Sequence, residues 1–316
     1  MLLNTVTTTS GAIFQLFLVC GIAAASVRLR VVSMAHVQGL SAATIHVFLP
    51  CLIISKTMTR FDPSGFALWW ILPLSGVSLI LAGMLFAALF FRLNPDKKPL
   101  LALASTQNAV YIVLPIAQIL YPDQFDRFAL YCFLLIIGST PVMWSVGKVL
   151  LGSRENNDLV WKDFITPPFV AVIFAVIMVF TGLSSFVPDP VIRTLDLLGQ
   201  ATVPLAVFVL GATLSTISLS DMHSWKDIAI VFAVKYILVP GAVFSLLYFT
   251  GIGHAMPLFG SFIIIQAASP PATNLILIAE NYGGDTRAIS SMMLLMHIFC
   301  IFALPLWLVL WQWTNA

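Results

Sequence analysis

Four prolines lie deep inside long apolar stretches, where the backbone groups that they leave without hydrogen bonds could bind a ligand. They are Pro50, Pro115, Pro204 and Pro271. A proline inside a helix removes one backbone hydrogen bond and clashes with the preceding turn. In a membrane, such damage is tolerated only where the freed groups meet protein or a water-filled cavity. The four prolines therefore mark candidate sites for a polar solute.

The spacing of these prolines indicates an internal repeat. Pro50 and Pro115 are 65 residues apart, Pro204 and Pro271 are 67 apart, and the two pairs are offset by 154 and 156 residues. An amide side chain follows the second proline of each pair by three residues, Gln118 in the first half and Asn274 in the second. Repeated interruptions at corresponding positions are typical of secondary transporters and point to their binding sites.

A broken helix can bind an anion without a full positive charge. The start of its second half exposes amide N–H groups that carry partial positive charge, and two such ends meeting near the membrane midplane would hold a carboxylate. The alternative is that the polar side chains near the breaks only satisfy freed backbone groups. The candidate substrate-binding residues are Asn108, Pro115, Gln118, Pro270, Pro271, Thr273 and Asn274, with Lys235 as a supporting charge.

Lys235 lies about ten residues inside an apolar segment. A cation at that depth costs at least ~2.5 kcal/mol, so it should be paired or face a cavity. One hypothesis is that it attracts the anionic substrate. The other is a structural role, in which Lys235 caps carbonyls freed by the break near Pro271 or pairs with Asp196 or Glu280.

Residues around Pro50 and Pro204 are candidates for the opposite wall of the site. His46 lies one helical turn before Pro50 and shares its face. Histidine titrates near neutral pH and could take up a coupling proton, although it could equally be a hydrogen-bonded packing residue. Gln200 and Thr202 occupy the corresponding stretch before Pro204, with helix packing as their alternative role.

The composition shows which elements must position these residues. The chain has 316 residues, of which 60% are hydrophobic and 9% charged, and its mean hydropathy is +1.01. A soluble domain carries about 25% charged residues. The composition excludes a cytosolic enzyme, a nucleic-acid-binding protein and a disordered chain.

The chain divides into ten apolar segments of the length that a membrane requires. A bilayer core of about 30 Å needs roughly 20 apolar residues per helix. The polar stretch 152–158 separates five segments from five, which leaves no room for a soluble domain. Segments 1 to 10 are 11–27, 38–58, 66–92, 100–121, 128–150, 165–183, 192–216, 227–250, 257–280 and 288–311.

These features predict an all-α polytopic membrane protein with ten transmembrane helices. Five helices per repeat is an odd number, so the second repeat enters the membrane from the opposite side and the two repeats are inverted. We expect repeats at 1–151 and 165–316, joined by a cytoplasmic linker at 152–164.

Ten basic residues fall in odd-numbered loops and four in even-numbered loops, which places the odd loops in the cytoplasm and both termini outside. The first segment could be a signal peptide, but its charge order favours a retained helix.

Other reactive residues give weaker signals. The four cysteines lie inside segments without CxxC spacing, so we expect neither a disulfide nor a metal site. An HExxH motif is absent, and Gly138-Ser139 has no general base at helical spacing, which disfavours an enzyme. No cofactor is expected. The tryptophans fall mostly near segment ends, as an aromatic belt would.

Short motifs along nearly the whole chain carry a family resemblance. They are Leu49-Pro50, Gln107-Asn108, Leu114-Pro115, Thr166-Pro167-Pro168, Pro204-Leu205-Ala206 with Gly211-Ala212, Lys235 with Pro240, and Ser269-Pro270-Pro271-Ala272-Thr273-Asn274 running to Tyr282-Gly283-Gly284-Asp285. With these motifs the chain resembles the auxin efflux carrier family, which includes plant auxin exporters and bacterial permeases for small dicarboxylates. It lacks the long cytoplasmic loop of the plant exporters, which favours the bacterial branch for small organic acids.

The resemblance implies a fold related to the bile acid:sodium symporters, in which helices 4 and 9 are broken and cross near the midplane. It also implies a homodimer, a scaffold of helices 1, 2, 6 and 7, and a mobile group of helices 3–5 and 8–10 that slides as an elevator. We therefore expect a transporter of a small mono- or dicarboxylate in a bacterial inner membrane, with a proton as the candidate coupling ion. The alternatives are a sodium-coupled carrier, for which no carboxylate lies beside either break, and a membrane sensor that does not transport.

Overall fold

The chain folds into α-helices throughout the part that the structure describes. The structure is a computed structural model that describes residues 2–92, 94–152, 165–218 and 223–314, and no strand occurs in these ranges. The helices are α1 (Leu2–Arg28), α2 (Met34–Ala43), α3 (Leu49–Arg60), α4 (Ile71–Phe91), α5 (Lys98–Ser105), α6 (Val113–Leu120), α7 (Phe125–Leu151), α8 (Pro167–Phe180), α9 (Asp189–Gln200), α10 (Thr202–Leu214), α11 (Trp225–Ala233), α12 (Val239–Thr250), α13 (Ile252–Ala255), α14 (Pro257–Ala267), α15 (Asn274–Asn281) and α16 (Thr286–Thr314).

The helices confirm an all-α membrane protein. Seven helical spans in the described ranges are long and apolar enough to cross a bilayer. Two shorter apolar helices, Pro167–Phe180 and Pro257–Ala267, add to them. Every one of the ten predicted segments contains helix, while the count of ten membrane crossings stays a prediction.

Segments 4 and 9 are interrupted, as the prolines predicted. In segment 4, α5 ends at Ser105 and α6 begins at Val113. Pro115 lies in the first turn of α6, where its missing N–H would have no helical partner in any case. In segment 9, α14 ends at Ala267 and α15 begins at Asn274, so Pro271 lies within the break itself.

The other two repeat prolines distort their helices less. A π-helical turn at Thr44–Phe48 precedes Pro50, and the wider turn leaves space for the proline ring. Pro204 lies in the first turn of α10, which follows α9 after the single residue Ala201. A second π-helical turn, Val234–Leu238, precedes Pro240 and contains Lys235.

Two helix pairs from opposite halves pack closely, α1 against α10 and α3 against α8. Exchanging the two predicted repeats would convert one pair into the other, a relation that the predicted inverted repeats would give. A Cβ atom added at Gly211 would lie 2.4 Å from the Cys20 Cα atom, and one added at Gly199 would lie 2.7 Å from the Leu52 Cα atom. Glycine thus permits direct backbone contact of α9 and α10 with their neighbours.

Helices α4 and α7 also pack closely against each other, and glycines again lie at the contact. A Cβ atom added at Gly138 would lie 2.1 Å from the Pro73 carbonyl oxygen, and one added at Gly76 would lie 2.7 Å from the Leu135 carbonyl oxygen. This contact fixes the position of α7 beside the two broken segments.

Candidate functional site

The two breaks meet each other. The backbone N–H of Asn108 donates to the carbonyl oxygen of Pro270 at 2.8 Å, and the Gln266 side-chain amide donates to the Ala109 carbonyl oxygen at 3.0 Å. Asn108 and Gln266 are 2% and 0% exposed. The interrupted segments therefore cross, and each break satisfies backbone groups of the other.

Lys235 caps the break of segment 4. Its ammonium donates a hydrogen bond to the carbonyl oxygen of Thr106, the residue that follows α5, and the side chain is 1% exposed. Capping of freed carbonyls was one of the structural roles expected for Lys235. The structure shows this capping at the break of segment 4 and not at the break near Pro271. The alternative pairing with Asp196 or Glu280 does not occur among the described residues, and Asp196 binds Lys56 at 2.8 Å instead.

A cavity of about 410 Å³ adjoins the crossing, and we call it the crossing cavity. It is bounded by both breaks, by α7, by the π-helical turn of segment 2 and by the start of α8. Four predicted site residues line it: His46, Asn108, Thr273 and Asn274. His46 belongs to the exposed rim of this wall.

Residues of this cavity wall contain buried polar atoms without hydrogen-bond partners in the described part of the chain. They are the amide nitrogens of Gln107 and Asn108, the indole nitrogen of Trp144 and the side-chain oxygen of Gln266. An unsatisfied buried group costs about 1–3 kcal/mol. Three of the four are donors, so unsatisfied donors outnumber unsatisfied acceptors in this wall, and a bound carboxylate would supply acceptors.

Other predicted residues line a second cavity of about 680 Å³, which we call the distal cavity. Pro115, Gln118, Gln200 and Pro204 lie there beside Lys56. The structure thus separates Gln118 from Asn108, because α6 leads away from the crossing after the break. The predicted site is divided between two cavities.

An ion-pair cluster borders the distal cavity. Lys56 binds Asp126 and Asp196 at 2.8 Å each, and Arg60 also binds Asp126 at 2.8 Å. Gln200 donates to Asp196 at 3.1 Å. The cluster joins α3, α7 and α9 and contains Asp196, which the sequence offered as a partner of Lys235.

The remaining predicted residues line neither cavity within the described ranges. Pro50, Pro270 and Pro271 shape the backbone around the cavities. Thr202 is buried, and its hydroxyl has no partner among the described residues. Lys235 lies behind Thr106, which lines the crossing cavity.

Sequence reasoning missed the contribution of α7. Ser139, Thr140, Met143 and Trp144 all line the crossing cavity, at spacings that share one helix face. Trp144 was expected in an interfacial belt, but it is 7% exposed and part of the cavity wall. The adjacent hydroxyls of Ser139 and Thr140 inside an apolar segment were the available signal.

Comparison with known proteins shows the family of the chain. Residues 8–308 match the family model described as membrane transport protein. The chain belongs to the membrane transport protein family. This is the auxin efflux carrier family that the motifs indicated, and membership identifies a transporter rather than an enzyme.

Two relatives carry transporter names. The first is an uncharacterized transporter of Methanocaldococcus jannaschii, 24% identical over 219 residues that cover 69% of this chain and 70% of that protein. The second, from Rhizobium meliloti, is named "Putative malonate transporter" and is 31% identical over 117 residues, which are 37% of this chain and 35% of that protein.

Proposed function

We propose that the protein is a secondary active transporter of a small organic anion, a mono- or dicarboxylate, with its binding site in the crossing cavity. The observation that carries this proposal is the excess of unsatisfied donors beside two joined helix breaks. Among the described residues that line the cavity, none is an aspartate, glutamate, lysine or arginine. Hydrogen-bond donors and helix ends favour an anion in such surroundings.

The proposed carboxylate ligands are Asn108, Thr273 and Asn274. Thr273 and Asn274 lie at the start of α15, where backbone N–H groups carry partial positive charge. Lys235 adds a full charge one residue behind the wall, through its contact with Thr106. The malonate named for the Rhizobium meliloti relative is an acid of the proposed class.

The proposed mechanism is an elevator. Helices α1–α3 and α8–α10 form the scaffold, which we propose to be the dimer interface, and the two groups α4–α7 and α11–α16 move together.

Ile165, which borders the crossing cavity and is 62% exposed, directly follows the linker 152–164. With the orientation predicted from basic residues, the crossing cavity opens to the cytoplasm of a bacterial inner membrane and both termini lie outside.

For the coupling ion we favour a proton over sodium. Sodium, as a hard cation, prefers several oxygen ligands with net negative charge, and the described cavity wall contains no carboxylate. His46 on the cavity rim is the candidate proton acceptor. A sodium-coupled carrier predicts uptake that fails without sodium, and a sensor predicts binding without uptake.

Uptake of labelled carboxylates into proteoliposomes tests the proposal. Asn274→Ala should lower uptake at least tenfold, because it removes a side-chain ligand at the start of α15. Gln38→Ala removes an exposed amide that lines neither cavity and should transport normally. Wild-type uptake by a folded Asn274→Ala protein would contradict the crossing site.

A further inference from the structure

Two titratable nitrogen groups are buried behind the crossing, and we call them the basic pair. They are Lys235 in the π-helical turn Val234–Leu238 and His297 in α16, and each side chain is 1% exposed. The two side chains interact electrostatically. Their neighbours in sequence join the two elements at this level, because the Tyr236 hydroxyl donates to the Met296 carbonyl oxygen at 2.5 Å.

The imidazole of His297 uses only one of its two nitrogens. Its Nδ1 atom lies 2.9 Å from the Met293 carbonyl oxygen, and since a carbonyl only accepts, Nδ1 carries the hydrogen. The Nε2 atom of the neutral ring then holds a lone pair, and it is buried without a hydrogen-bond partner among the described residues. His297 therefore presents an unused proton acceptor inside the molecule.

The groups that surround Lys235 do not neutralise its charge. The ammonium donates to the Thr106 carbonyl oxygen. Cys300, which follows His297 by about one helical turn, also interacts electrostatically with Lys235, but its thiol donates to the Ala268 carbonyl oxygen at 3.8 Å. A thiol is neutral at pH 7 unless its surroundings stabilise the anion, and a lipid-buried site does not.

The helices packed around the basic pair supply no carboxylate to it either. The π-helical turn packs against α4, α5, α11, α12 and α16, and α16 also packs against α1, α14 and α15. Of the two carboxylates on these helices, Asp227 binds Lys97 at 2.7 Å and Glu280 is exposed. The charged residues of these helices all lie within three residues of a helix end: Arg28, Lys98, Lys226, Asp227, Glu280 and Arg287.

We propose that His297 binds the coupling proton and that binding of the anion at the crossing drives its uptake. This inference rests on the proposed function and names the proton site of that carrier. In the empty protein, burial and the charge of Lys235 both oppose a second positive charge, so His297 is neutral. A carboxylate bound beside Thr106 balances Lys235, which allows the imidazole to take a proton. The anion and the proton then cross together.

The proton reaches His297 through Lys235. Thr106 lines the crossing cavity and Lys235 lies directly behind it. Lys235 turns from Thr106, gives one ammonium proton to the Nε2 lone pair, and the remaining amine takes a proton from water in the cavity. One N–H bond forms at His297 and one proton leaves the water, so the step needs no oxidant or reductant. His297 is enclosed during transport, whereas His46 on the rim is exposed and would exchange its proton with bulk water.

Calorimetric titration of the detergent-purified full chain counts the protons taken up with the anion. The probes are malonate, succinate, propionate and butyrate. Each titration is repeated in phosphate and in Tris, whose heats of ionisation differ. The wild-type protein should take up about one proton per bound anion, and its affinity should fall about tenfold for each pH unit above neutrality. Binding without proton uptake would overturn the inference and leave the anion site of the proposed function intact.

His297→Asn locates the proton. The asparagine amide replaces the Nδ1–H donor toward Met293 but does not titrate near neutral pH. Proton uptake should fall about tenfold, and the affinity should become nearly independent of pH. His254→Asn, at an exposed histidine that lines neither cavity, is the matched control and should take up protons as the wild type does. Loss of uptake in His46→Asn with normal uptake in His297→Asn would overturn the inference and assign the proton to the rim.

Size-exclusion profile and melting temperature establish that each variant is folded. If His297→Asn is not folded, His297→Gln replaces it, because its longer side chain brings a neutral amide toward the position of Nε2. Wild-type proton uptake in a folded variant of His297 would contradict the assignment. Absence of binding by all four acids to the wild-type protein would overturn the proposed function, and this inference with it.

Discussion

At the scale of single residues, the sequence offered Lys235 a structural role and a role in attracting the anion; the structure shows the first, and the second is our proposal. Its ammonium is buried and contacts a backbone carbonyl, and no carboxylate pairs with it among the described residues. Burying such a charge is costly, and one carbonyl contact offsets the cost only in part. The residue therefore stabilises the break of segment 4 and also leaves positive charge beside the crossing cavity.

Lys235→Met should weaken binding of the carboxylate about tenfold while changing the melting temperature by only a few degrees. Loss of the ammonium leaves the Thr106 carbonyl without its partner, at about 1–3 kcal/mol, but it also removes a desolvated charge, and the two effects oppose each other. A charge this close to the site contributes on the order of 1–2 kcal/mol to binding at an effective dielectric constant of about 20. Calorimetric titration and a melting curve measure the two quantities. A large loss of stability with unchanged affinity would make Lys235 purely structural.

At the scale of elements, glycines determine how closely the helices that carry the site approach each other. The closest of these approaches brings Gly138 of α7 against the carbonyl of Pro73 in α4. This contact holds the α7 face with Ser139 and Trp144 against the crossing. The shape of the cavity thus depends on a residue with no side chain.

Gly138→Ala should destabilise the protein by about 1–3 kcal/mol, the usual effect of overpacking, because the added methyl group would lie 2.1 Å from the Pro73 oxygen. Gly11→Ala in α1 is the matched control, since nothing lies within 4 Å of its added methyl group. Melting temperatures in detergent compare the two variants. The control should melt at or slightly above the wild-type temperature, since alanine favours a helix, and an equal result for Gly138→Ala would argue against the tight α4–α7 contact.

The sequence predicted the elements better than their relation in space. Proline spacing correctly indicated that segments 4 and 9 are broken, because the backbone consequence of proline is local. It could not show that Gln118 lies in the distal cavity, since the direction of α6 after the break depends on tertiary packing. Trp144 was assigned to a belt for a similar reason: in a segment that is apolar on all sides, periodicity does not reveal which face is buried.

At the scale of the whole molecule, the ion-pair cluster joins the proposed scaffold to the proposed mobile group. Lys56 and Arg60 belong to α3, whereas Asp126 belongs to α7. In an elevator, the two groups must slide past each other, and these ion pairs would have to separate. The cluster therefore favours the arrangement in which the crossing cavity is present.

Asp126→Asn should lower the equilibrium constant in favour of this arrangement about fivefold, which corresponds to an ion-pair contribution of about 1 kcal/mol. The readout is the rate at which a thiol reagent labels Thr273→Cys in the crossing cavity, compared with the chain without the added cysteine. Labelling should slow in Asp126→Asn. Asp189→Asn removes an exposed pair within α9 and should leave the rate unchanged. An unaltered rate in Asp126→Asn would separate the cluster from conformational change.

The crossing also has a consequence for the order of biosynthesis. Every described hydrogen bond that ties the first break to other segments comes from the second half: Lys235 binds Thr106, Pro270 binds Asn108, and Gln266 binds Ala109. The partners Lys235 and Gln266 are translated 129 and 157 residues after the groups they satisfy, a delay on the order of ten seconds at ribosomal speed. We therefore expect the nascent first half to lack these hydrogen-bond partners during that interval. Since unsatisfied backbone groups are costly in lipid, we expect it to remain beside the insertion machinery or a chaperone until the later helices are made.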